Sequence, residues 1–141
     1  MLNDSQKRKV SITMSALEEG LIEMEGLLRS EDRIGVLYEL GNDIPLPMRR
    51  ELLCKIADIK RDIKNIADQS GLYKQQEKLS SRISGDASIL WASIAEIKTG
   101  HLRSYGGVAD GLEEALDPAL ETICDELIEI HRIASEINRK E

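Results

Sequence analysis

The densest run of reactive side chains lies between positions 98 and 107. Lys98, His101, Arg103 and Tyr105 stand there close together, followed by Gly106 and Gly107. A histidine titrates near neutrality, a guanidinium can hold a carboxylate or phosphate, and paired glycines let a ligand approach the backbone. These four side chains form the candidate binding set for a small anion or metabolite. The glycines lack the spacing and strand–helix setting of a nucleotide-phosphate loop. The plainer alternative is a connecting loop that Leu102, Tyr105 and Val108 anchor to the rest of the fold.

A second group lies toward the C-terminus. Cys124 and His131 are two helical turns apart and both residue types ligate zinc, but two ligands do not make a site. No Glu stands three residues before either histidine, so the Glu-x-x-His pair of di-iron bundles is missing. Asp117, Glu121, Asp125 and Glu129 recur every four residues and line one helix face. Like charges at that spacing repel, and a cation or a basic surface would relieve them; a solvated face is the commoner outcome. Nothing resembles a Cys–His nucleophile pair around Cys54. No catalytic residue, metal site or cofactor is therefore assigned.

Interface residues are the third kind of candidate. Trp91 is the sole tryptophan, a residue type enriched at the energetic centres of protein contacts. Positions 110–129 hold eight acids and no Lys or Arg, whereas positions 49–64 hold six bases and three acids. Such segregation helps set which helices pair. Lys60 and Lys64 are expected to approach Glu121 and Asp125, within one subunit or across a dimer.

The elements that must position these residues are helices. Val10, Met14, Leu17, Leu21, Met24 and Leu28 step by fours and threes, as do Leu52, Ile56, Ile59, Ile63 and Ile66. Ile83, Ala87, Leu90, Ile94 and Ile97 repeat the pattern, and Leu116, Leu120, Ile123, Leu127, Ile130, Ala134 and Ile137 extend it furthest. No stretch alternates polar and apolar residues as a half-buried strand does. The fold is expected to be all-α. A single domain over 1–141 is predicted, an antiparallel four-helix-bundle-like arrangement with one or two additional short helices. A dimer sharing one bundle is the alternative.

Boundary residues divide the chain further. Ser30 is expected to cap a short helix over 31–40, and Pro45 and Pro47 to open the next long one. Gly71 should end it, with another helix starting at Tyr73 after a very short turn. Gly100 closes that segment, and Asp117–Pro118 supplies a cap and first residue for the last helix. Four helices of roughly 22–27 residues would each run about 33–40 Å.

Composition bounds the function. The 141 residues carry a formal charge of −7, which argues against nucleic acid as a partner. No apolar run is long enough for a membrane span or a secretion signal. Cys54 and Cys124 form no Cys-x-x-Cys pair, and with no such signal both are expected reduced in the cytoplasm. The leading expectation is a non-enzymatic helical module that binds its own copy as a homodimer, or another protein. An enzyme or sensor using residues 98–107 is second, and a metal-binding bundle third.

Overall fold

The computed structural model describes residues 1–30 and 32–140, without the side chains of Asn138 and Lys140. The protein is all-α apart from one very small hairpin. Helix α1 spans Asp4–Arg29, strands β1 and β2 span Arg33–Ile34 and Glu39–Leu40, and α2 spans Leu46–Ser70. Helix α3 spans Leu79–Ala95, a one-turn helix α4 spans Thr99–Leu102, a 3₁₀ turn covers Arg103–Tyr105, and α5 spans Leu112–Lys140. The chain falls into two compact units, residues 1–75 and 76–141.

Unit 1 is a helical hairpin of α1 and α2. A capping box starts α1: the Asn3 side chain accepts from the Gln6 N–H at 2.8 Å while Gln6 Oε1 accepts from the Asn3 N–H at 2.9 Å. Two donors that open any helix unpaired are satisfied this way. The hairpin core is Leu21, Ile56 and Ile63, with Met14 and Leu28 packed against it. Gly71 ends α2 as expected, in the left-handed region at φ 63°, where a side chain would be strained.

Residues 33–40 are not the short helix the sequence suggested. Ser30 does not cap a following helix; it ends α1, its hydroxyl donating to the Gly26 carbonyl at 2.6 Å. The chain then turns back as a β-hairpin, Arg33 opposite Leu40 and Ile34 opposite Glu39, closed by the Gly35 N–H on the Tyr38 carbonyl at 2.7 Å. The Asp32 carboxylate accepts from the Asn42 N–H at 2.7 Å and ties the hairpin ends together. Polar side chains that pair with nearby backbone compete with a helix for the same groups, and here they win.

Unit 2 pairs α3 with α5, and α4 also packs on α5. Three boundaries differ from expectation. Helix α3 begins at Leu79, not Tyr73, because residues 72–78 run outside regular structure. It ends at Ala95, and Gly100 lies inside α4 rather than closing the longer helix. Helix α5 begins at Leu112, after Gly111 at φ 84°, so Pro118 sits inside it. Glu113 and Glu114 in its first turn favour that earlier start by facing the positive end of the helix dipole.

Within unit 2 most of the buried residues are small. Ala87 of α3 and Leu120, Cys124 and Ala134 of α5 are nearly inaccessible, and Cys124, at 1% exposure, is the most deeply buried of the described residues. No helix among the described residues is long and apolar enough to cross a membrane.

Candidate functional site

Each long helix carries its apolar residues in two rows, and the two rows differ in burial. One row closes the hairpin: Leu21 with Ile56 and Ile63 in unit 1, Ala87 with Leu120 and Ala134 in unit 2. The other row comes from the same sequence repeats yet is left half open. Leu17 is 41% exposed, Leu52 43%, Ile83 41% and Ile130 45%. Met24, Ile59, Ile66, Leu90, Ile123 and Ile137 share that state. Helical spacing puts Leu52, Ile59 and Ile66 on one flank of α2, and Ile123, Ile130 and Ile137 on one flank of α5. In unit 2 the flanks of α3 and α5 converge on a groove of about 550 Å³ lined by Leu79, Ile83, Ile130, Ile133 and Ile137.

Each two-helix hairpin has one buried seam, so the second apolar row of each stays half open.

The residues at 98–105 do not converge on one ligand position. Lys98 precedes α4 and reaches Glu121 of α5 at 2.5 Å, a contact that holds its ammonium pKa above the ordinary lysine value. Arg103 alone of the four lines a nearby depression, which it shares with Asp110, Glu113 and Glu114. Three carboxylates there oppose binding of an anion. His101 is exposed, and Tyr105 points almost wholly into solvent.

What anchors this segment is Asp117. Its two carboxylate oxygens accept from the Thr99 N–H at 3.0 Å and the Thr99 hydroxyl at 2.9 Å. Thr99 is buried, so the sequence-predicted cap of α5 is in fact the cap of α4, delivered from another helix. The spacing of Asp117 before Pro118 matches a local cap equally well, and no sequence signal distinguishes the two.

A polar cluster between α3 and α5 was not anticipated. His131 Nδ1 lies 2.8 Å from the Ser84 hydroxyl and 3.3 Å from that of Ser88, and Ser84 also meets the Ser135 hydroxyl at 3.2 Å. Ser84 with Ser88, and His131 with Ser135, are i,i+4 pairs, the only trace the cluster leaves in sequence. A serine beside a histidine suggests an activated nucleophile, but the setting does not suit that chemistry. Among the described residues no carboxylate bonds the ring, and Ser84 lies inside a helix whose backbone N–H groups are committed to its own ladder. The cluster instead fixes how α3 and α5 slide against each other.

The remaining candidates have local partners. Lys60 is bonded to Glu25 across unit 1, Lys64 pairs with Asp68 one turn along at 3.1 Å, and Glu121 is taken by Lys98. Asp125 is exposed and Trp91, within α3, is 45% exposed. Beside the acidic ladder, Arg132 bonds Glu129 and reaches Glu136 at 2.7 Å. The hydrogen bond from Arg132 lowers the Glu129 pKa below the ordinary carboxylate value. Among the described residues no three His, Cys, Asp or Glu side chains are grouped as metal ligands. No protein-family model, curated protein or solved structure matches the chain.

Proposed function

We propose that this protein is a non-enzymatic helical interaction module whose half-open apolar rows dock against amphipathic helices and complete four-helix bundles. The observation that carries this reading is the division of each repeat into a closed row and an open one. Rows of Leu and Ile at this spacing gain roughly 25 cal/mol for each Å² removed from water, the main driving force of helix association. The flanks carry no cluster of reactive groups that would point to catalysis. A reducing, cytoplasmic setting suits the two free thiols, Cys54 and Cys124.

The test is binding by the whole protein to itself and to synthetic amphipathic helices with Leu/Ile rows at heptad spacing, read by fluorescence anisotropy. Association that is lost in Ile130→Ser and retained in a surface control such as Asp125→Ser is expected. No association with any of these, or association indifferent to Ile130→Ser, would overturn the reading.

A further inference from the structure

We draw no further inference here: the strongest candidate, the apolar groove between α3 and α5 lined by Ile83, Ile130 and Ile137, belongs to the half-open rows already described, and nothing in the structure shows what covers it.

Discussion

Replacing Asp117 by alanine removes the carboxylate that pairs with both buried polar groups of Thr99. The wild-type carboxylate accepts from both the Thr99 N–H and hydroxyl, at 3.0 and 2.9 Å. Thr99 is 4% exposed, so water does not simply replace the lost acceptor. A buried donor left unpaired costs about 1–3 kcal/mol, and loss of an N-terminal cap costs about 0.5–2 kcal/mol. The two descriptions overlap, because one of the donors is the cap donor, so the expected loss is about 2–3 kcal/mol rather than their sum. Urea denaturation of Asp117→Ala gives the total. Hydrogen exchange locates it: the Thr99 amide should lose protection while amides in the middle of α5 keep theirs. Thr99→Ala removes only the hydroxyl donor, and a double-mutant cycle should return a coupling of about 1 kcal/mol. If Asp117 acts as a local cap of α5, exchange would instead rise near the start of that helix and the coupling to Thr99 would vanish. That pattern would refute the reasoning.

Other outcomes follow from the packing, the thiols and the ion pairs. Leu21→Ala in the small core with Ile56 and Ile63 should destabilise unit 1 by about 2–5 kcal/mol, whereas Ser11→Ala should be neutral or stabilising by thermal melting, because the buried Ser11 hydroxyl has no hydrogen-bond partner among the described residues. Cys54 is exposed and Cys124 buried, so a thiol reagent should label the first in the native protein and the second only after denaturation, as read by mass spectrometry. The lowered Glu129 pKa makes its contribution complete above the ordinary carboxylate range and lost as pH falls through its folded value; the raised Lys98 pKa makes that contribution present at neutrality and lost as pH rises past the lysine range. Side-chain NMR titration should show both displacements, and Arg132→Gln should abolish the first.

The sequence by itself determined the helices. Their apolar periodicity, the basic and acidic stretches and the stop at Gly71 are local properties, and propensity with capping acts over a few residues. Local rules also failed in informative places. The segment at 33–40 has Ile34, Leu37 and Tyr38 at helical spacing, yet Asp32 and Asn42 hold its backbone in a hairpin. Asp117 stands before a proline as a helix cap should, yet its carboxylate serves a different helix.

Tertiary structure alone decided which half of each apolar repeat is closed. Leu17 and Leu21, or Ile130 and Ala134, are equivalent by period, but a hairpin has one seam and buries one row. It also brought Ser84 and Ser88 to His131, residues more than forty positions apart that carry no shared motif. Periodicity records that a face is apolar, because each residue's burial preference is written in its own side chain. What covers that face depends on where other helices lie, and that is a property of the packed chain.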